Sequence, residues 1–456
     1  MSIESISTTV QAHRDFFATH QTKSLAFRRQ QLLALRAGLQ KYEAALYEAL
    51  WIDLHKSEAE AFFTEMSMIY QEIRNHLRHL RRWTRVQRVS SPLQLWPSHS
   101  RILIEPLGVA LIIAPWNYPV QLLLNPLVGA IAAGCCAVLK PSPYTPHVSA
   151  LLARLVTETF DSRYISLFEG DRHINTALLA QRFDIIFFTG SPALGRVVMA
   201  AAARNLTPVV LELGGKSPCI VHVDANLRKA ARRIIWGKTI NAGQTCVAPD
   251  YLLVHESIKE QLMVEMKAVV HEFFGDNPQK SDFFGRIVRD EAVQRIETLM
   301  QSGTTRIGGT VDAAARYIEP TLLDGVDADS LVMQQEIFGP VLPVLIYSNL
   351  QQAIDFVNRR EKPLALYFFG SSRMGWQVLR QTSSGGACIN DTLVHLANAR
   401  LPFGGVGNSG MGRYHGRDSL LAFSNRRAVV SSPTWFDLPV KFAPFKGFKW
   451  LRRFMK

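Results

Sequence analysis

A chain of 456 residues, 47% hydrophobic and 20% charged, has ordinary globular composition and material for two or three domains at roughly 150 residues each. Five cysteines without a CxxC pair argue against a disulfide scaffold and for a reducing, cytoplasmic setting. The net charge of +13 raises the question of anionic partners, and much of it sits in RNHLRHLRRWTRVQR at 74–88 and in the tail after Lys441.

The N-terminus, MSIESISTTVQAHRDFF, lacks the basic start and apolar core of a signal peptide, and the longest apolar runs are too interrupted to span a membrane. Residues 24–55 are predicted as one amphipathic helix, because Leu32, Leu35, Leu39, Tyr42, Leu46 and Ala49 keep helical spacing. A second helix is expected over 57–88, ending before Ser90-Ser91-Pro92. Leu77, Leu80, Trp83 and Val86 make its apolar stripe, and its arginines are read as a solvated face rather than a nucleic-acid surface.

From residue 101 the period changes. VALIIAP (109–115), CAVLK (136–140), YISLF (164–168), DIIFFT (184–189) and PVVLELG (208–214) are short apolar runs bounded by turn residues. Helical stretches near 120–134, 146–160, 171–182 and 192–204 separate them. Such alternation predicts an α/β fold with a parallel sheet, whose ligands lie beyond the carboxyl ends of the strands. A second alternating block runs from 218 to 395, with strands at 250–256, 341–347, 365–370 and 386–390, before the glycine-rich LPFGGVGNSGMG at 401–412.

Several strand ends carry chemistry. APWNYP places Asn117 where its amide could donate to an oxyanion. LKPSP places Lys140 where it could bond a ribose or phosphate. In TGSPALGRVV, Ser191 is a good N-cap and Pro192 suits the first helical position, with Leu194, Val197, Val198 and Ala201 as the expected buried face. This GSxxxG turn opens a helix towards a phosphate, although it is not the GxGxxG fingerprint. LELGGK ends a strand with Glu212, a candidate general base. NAGQTCVAPD then sets Cys246 on a loop between helix and strand, a candidate nucleophile. No HExxH or paired Cys/His spacing suggests a metal. The other four cysteines lie in apolar runs and read as core.

APWNYP, LKPS, FFTGS, LELGGKSP, NAGQTC, EIFGP and LPFGGVGNSGMGRYHG, in this order over residues 10–430, resemble the motifs of the aldehyde dehydrogenase superfamily. The short N-terminus, NLTPVVLELGGKSP and GMGRYHG resemble its class 3 branch of fatty and aromatic aldehyde dehydrogenases. The resemblance implies a Rossmann-type dinucleotide-binding domain over 1–91 and 107–212, and an α/β catalytic domain over 213–395. A small bridging and oligomerisation segment would comprise 92–106 and 396–434, followed by a basic aromatic tail at 435–456.

It further implies NAD or NADP as cofactor, an aldehyde substrate and a homodimer. Cys246 would be the nucleophile, Glu212 the general base, and Asn117 with the Cys246 N–H the oxyanion donors. Lys140, Ser142, Gly190, Ser191 and Gly195 would line the adenosine and pyrophosphate end, flanked by Trp116, Thr189 and Leu213. Glu336 would hold the nicotinamide ribose, with Phe338 packed against it. Tyr118, Thr245 and the region near His395 are expected at the substrate entrance. Pro143 stands where many NAD-preferring relatives carry glutamate, so NADP is expected to serve at least comparably to NAD. The tail is expected to cover a partner's entrance or to touch an anionic membrane surface. A catalytically silent scaffold binding anionic partners is the alternative, disfavoured because Cys246, Glu212, Asn117 and Glu336 are all present. Transfer of the acyl group to coenzyme A is disfavoured by the hydrolytic base Glu212.

Overall fold

In the computed structural model, which describes residues 3–454, the apolar runs from 109 to 214 form most of a six-stranded sheet. Its order is Gly410–Met411, Val209–Leu213, Ile185–Gly190, Val109–Ile113, Cys136–Lys140 and Ile165–Leu167. The last five strands are parallel, and Gly410–Met411 runs antiparallel on the edge beside Glu212. Val109–Ile113 and Cys136–Lys140 are wholly buried, as expected for strands covered on both faces. The chain steps outward from Val109–Ile113 to Ile165–Leu167, then returns to place Ile185–Gly190 on the other side. That reversal opens a crevice beyond the carboxyl ends of Val109–Ile113 and Ile185–Gly190, the site at which such sheets bind ligands.

The second block forms a seven-stranded sheet in the order Thr304–Ile307, Thr321–Asp324, Val341–Tyr347, Tyr251–His255, Pro218–Val221, Ala365–Phe369 and Gly386–Ile389. Only the Thr304–Ile307 edge is antiparallel. A separate antiparallel sheet pairs His99–Pro106 with Gln87–Val89 and Ser424–Ser431. The α/β alternation expected from the sequence is therefore present, with these antiparallel additions.

The helix Leu25–Leu54 matches its expected span, capped by Ser24 and ended by His55 at φ 53. The expected helix over 57–88 is a correction. It forms Glu58–Ala61, a π-helical turn at Phe62–Met66 and Ser67–Thr84, and then leaves the helix for strand Gln87–Val89. Val86 consequently lies outside the helix and is exposed, while Leu80 is buried and Arg74, Arg78, Arg81 and Arg82 face solvent. The buried face of Pro192–Ala203 also differs from expectation. Leu194 and Val197 are exposed, and Gly195, Val198 and Ala202 face inward. A Cβ at position 195 would come within 2.7 Å of Leu213, so the missing side chain lets the helix lie on that strand and turns Leu194 outward.

The π turn has a consequence at the site. It carries Glu65, whose carboxylate meets Lys56 at 2.7 Å with both side chains fully buried. Glu65 Oε2 accepts the Val120 and Gln121 N–H groups at 2.8 and 3.1 Å. Lys56 donates to Asn117 O at 3.1 Å and lies 4.3 Å from the centre of the Tyr118 ring. One ion pair thus fixes the loop that carries Asn117. Lys56→Met, which strands the Glu65 charge, should cost about 3–5 kcal/mol, read as a lower urea midpoint. An unchanged midpoint would show that the pair does not hold this loop.

Candidate active site

The helix Leu227–Thr239 stops five residues before the loop's Gln-Thr-Cys, and its exit is conformationally costly. Asn241 and Ala242 both sit at φ 51 and Gly243 at φ 75, a left-handed run that L-residues avoid. Only glycine fits at 243, since a Cβ there would stand 2.3 Å from Gly339 O. The run is held by partners from outside it. Glu60 accepts the Asn241 N–H at 2.7 Å, and burial raises that carboxyl to about 7. Asn241 Nδ2 donates to Asn117 O at 2.7 Å and to Gln244 O at 3.2 Å, while Asn117 Nδ2 donates to Gln244 O at 3.0 Å. The Gln244 side chain donates to Arg286 O and accepts from the Val288 N–H.

This brings Cys246 to the junction of two cavities, and it is the one described residue in the walls of both. The first, of 1080 Å³, is mainly apolar and rich in aromatic rings, among them Phe63, Trp236, Phe273, Phe403 and Tyr414, with Lys229, Arg232, Arg233 and Glu272 also in its wall. Tyr118 and Thr245 stand in its wall, joined by a hydroxyl hydrogen bond of 2.5 Å. His395 itself is not in that wall, but its neighbours Leu393, Val394, Leu396 and Ala397 are. The second cavity, of 1430 Å³, occupies the crevice at the edge of the six-stranded sheet. Its wall brings together Trp116, Asn117, Thr189, Gly190, Ser191, Glu212, Leu213, Glu336 and Phe338 with Cys246. Lys140, Ser142 and Gly195 lie outside that wall. Lys140 is buried and donates to Pro141 O at 2.7 Å, and burial lowers its amine to about 8.

The second cavity fits a dinucleotide. Ser191 caps the twelve-residue helix Pro192–Ala203 by accepting from the Leu194 N–H, which aims a helix N-terminus at the crevice, a ready anion site. Among the described residues, Thr189 Oγ1 and both Glu212 oxygens are buried without a hydrogen-bond partner, so polar capacity is held in reserve at the cavity wall. Glu336 lies over Gly214 so closely that a Cβ there would stand 2.0 Å from its Oε2. Phe338 meets Trp116 edge-on at 5.4 Å.

Charge around the sulfur is one-sided. Burial pushes the Cys246 thiol up to about 12, and the Glu336 and Glu212 carboxyls add to that rise. Burial holds Glu212 well above the usual carboxylate range. It also lifts Glu336 to about 8, with Asp250 contributing. Burial thus disfavours the ionised form of each carboxyl.

Of the residues that support the site, Lys56, Glu60, Glu65 and Arg295 carried no usable sequence signal. Lys216 and Asp250 close the LELGGK and NAGQTCVAPD stretches without being singled out.

The sequence profile of the aldehyde dehydrogenase family matches residues 2–429. The chain is 48% identical over 445 residues to a 4,4'-diaponeurosporen-aldehyde dehydrogenase from Staphylococcus aureus, covering 97% of each. It is 45% identical over 437 residues to a dimeric NADP-preferring aldehyde dehydrogenase from Canis lupus familiaris, covering 96% of each. Its fold is similar to a substrate-bound Staphylococcus aureus AldH structure, with a TM-score of 0.97, 46% identity and 99% of each chain covered. The chain belongs to the aldehyde dehydrogenase family. It is an aldehyde dehydrogenase that uses NAD or NADP.

The raised thiol makes a checkable statement. Below a pKa of about 12, the thiolate fraction grows about tenfold per pH unit, and thiolate is the reactive form. Iodoacetamide labelling of Cys246 in the cofactor-free protein should therefore climb steadily from pH 6 to pH 9. A plateau by pH 7.5 would mean that the thiol is already ionised.

Proposed function

We propose that the enzyme oxidises a medium- or long-chain aliphatic or an aromatic aldehyde to the carboxylic acid through a thioester on Cys246. The observation that carries this reading is the position of Cys246, the one described residue that walls both the aromatic cavity and the crevice cavity. An apolar aldehyde in the first cavity then presents its carbonyl to the sulfur, with the dinucleotide on the other side.

The Cys246 thiol releases its proton to solvent, and the sulfur bonds to the carbonyl carbon as the carbon–oxygen π pair moves onto the oxygen. The oxyanion that forms needs fixed donors. Asn117 spends one amide hydrogen on Gln244 O and keeps the other for this role, beside the Cys246 N–H. When bound, the dinucleotide supplies the acceptor for the hydride lost from the carbonyl carbon. Glu212, free of competing hydrogen bonds, takes a proton from the water that attacks the thioester carbon. The carbon–sulfur bond breaks, the acid departs, and Cys246 regains a proton. Glu336 and Phe338 hold the nicotinamide ribose, and the Ser191 helix end faces the pyrophosphate. We place Lys140, Ser142 and Gly195 at the adenosine end, Gly195 by letting its helix approach the sheet.

The domain division given above remains our reading. A homodimer fits the edge strands Gly386–Ile389 and Ser424–Ser431, two of the strands that leave one edge unpaired among the described residues. The tail exposes Trp435, Phe442, Phe445 and Phe448 among basic residues, a composition suited to an anionic membrane surface. Among the described residues, no helix is long and apolar enough to cross a membrane.

Cys246→Ser should abolish aldehyde oxidation while dinucleotide binding stays nearly intact, because a hydroxyl is far less nucleophilic than a thiolate. Glu212→Gln should give a burst of reduced cofactor followed by slow turnover. Wild-type rates in the first variant, or unchanged steady-state rates across pH in the second, would end the respective assignment.

Pro143 is exposed at the adenosine end, where it offers no carboxylate to repel a 2′-phosphate. Losing one such contact is worth about 1–3 kcal/mol, so NADP should bind at least comparably to NAD. Pro143→Glu should restore a preference for NAD. A wild type that binds NAD about a hundredfold more tightly, a gap of about 2.7 kcal/mol, would refute this reading.

A further inference from the structure

The segment that carries Glu336 and Phe338 is not held by regular secondary structure. It joins the short helix Leu331–Gln334 to strand Val341–Tyr347. Phe338 sits at φ 50, a left-handed conformation that a bulky aromatic keeps only when its surroundings impose it. The main chain just before it is held by three charged side chains from three separate places in the chain.

Lys216, just past strand Val209–Leu213, donates from Nζ to Gln335 O at 2.9 Å and to Val332 O at 2.8 Å. Arg295, on helix Asp290–Met300, donates to Glu336 O at 3.1 Å and Ile337 O at 2.6 Å. Asp250, just before strand Tyr251–His255, accepts the Ile337 N–H at 3.1 Å through one oxygen, and its other oxygen pairs with Lys216. Together they take up three carbonyls and one N–H between Gln335 and Ile337. Peptide planes gripped on both sides leave the intervening side chain little freedom to swing.

Both cations border the crevice cavity, and a rival role as phosphate ligands suggests itself. Their hydrogen bonds argue otherwise. Lys216 has three acceptors in the protein, and Arg295 turns two of its nitrogens onto main-chain carbonyls of the Glu336 segment.

We infer that Lys216, Asp250 and Arg295 are positioning residues, a latch that fixes the main chain of 335–338 so that Glu336 and Phe338 stand at the nicotinamide-ribose end of the cavity. The inference rests on the reading of Glu336 as the ribose contact. The latch acts on one end of the dinucleotide only. A residue of merely structural importance would weaken both ends together.

The test titrates full-length protein with two probes, NADPH and adenosine 2′,5′-bisphosphate, which lacks the nicotinamide ribose. Arg295→Met and Asp250→Asn should weaken NADPH binding by about 10- to 100-fold, the scale of a misplaced contact. Binding of the bisphosphate should change by less than about twofold, the spread expected for independent sites. Arg295→Lys, which keeps charge but loses the two-carbonyl fork, should fall between wild type and Arg295→Met, and it guards against a variant that fails to fold. Equal weakening of both probes, or wild-type NADPH binding in Arg295→Met, overturns the latch. Glu336→Gln serves as the control for the underlying reading. If it leaves NADPH binding unchanged while Arg295→Met weakens it, the ribose assignment falls and the latch stands, with Phe338 as the group it positions.

Discussion

Two amide side chains tie the two large sheets together at the sulfur. Asn117 extends from the six-stranded sheet and donates to the main-chain carbonyl of Gln244, and Asn241, which precedes a strand of the seven-stranded one, donates to the main-chain carbonyls of Asn117 and Gln244, over 2.7–3.2 Å. Without them, the left-handed run at Asn241, Ala242 and Gly243 would have little reason to persist, since each such residue costs free energy in isolation. The loop's position is thus set by tertiary partners rather than by its own propensity. Beneath it lies the buried Lys56–Glu65 pair, which holds Asn117 from the other side. From the π turn to Gln244, two residues before Cys246, runs one connected polar network.

The same region concentrates groups that a stability-driven core would avoid. Glu212 is buried with both oxygens unpartnered among the described residues, and Glu336 and Cys246 are both displaced from their ordinary protonation ranges by burial. Groups of this kind weaken a fold, and they cluster where chemistry needs a proton held near its point of release. At the crevice wall that cost falls on Glu212, Glu336 and Cys246. Around it, Val109–Ile113, Cys136–Lys140 and the helix Gln121–Ala133 are buried throughout and supply the compensating apolar area.

Much of this was legible before the fold was known, because the informative residues act locally. Ser191-Pro192 marks a helix start wherever it falls, and the strand ends at Lys140, Gly190 and Glu212 follow from short apolar runs. Other features depend on contacts between distant segments. Leu194 and Val197 kept helical spacing yet face outward, because Gly195 brings its helix onto Leu213. The helix expected to continue from 57 to 88 is interrupted by the π turn that presents Glu65 to the Val120 and Gln121 N–H groups. Arg295 is an ordinary helix residue in sequence, and only the return of residues 335–338 gives it carbonyls to bind. Lys140 and Ser142 sit at the carboxyl end of strand Cys136–Lys140 but outside the large cavity's wall.

In the proposed mechanism, Cys246 carries the substrate's acyl group midway through the reaction. The most direct measurement is peptide mapping by mass spectrometry of Glu212→Gln, quenched in acid within the first turnover with oxidised cofactor and a medium-chain aldehyde. A mass increase equal to the acyl group is expected on the peptide containing Cys246, and none on peptides containing Cys135, Cys136, Cys219 or Cys388. Reduced cofactor formed with no acyl adduct on Cys246, or with the adduct on another cysteine, would contradict it.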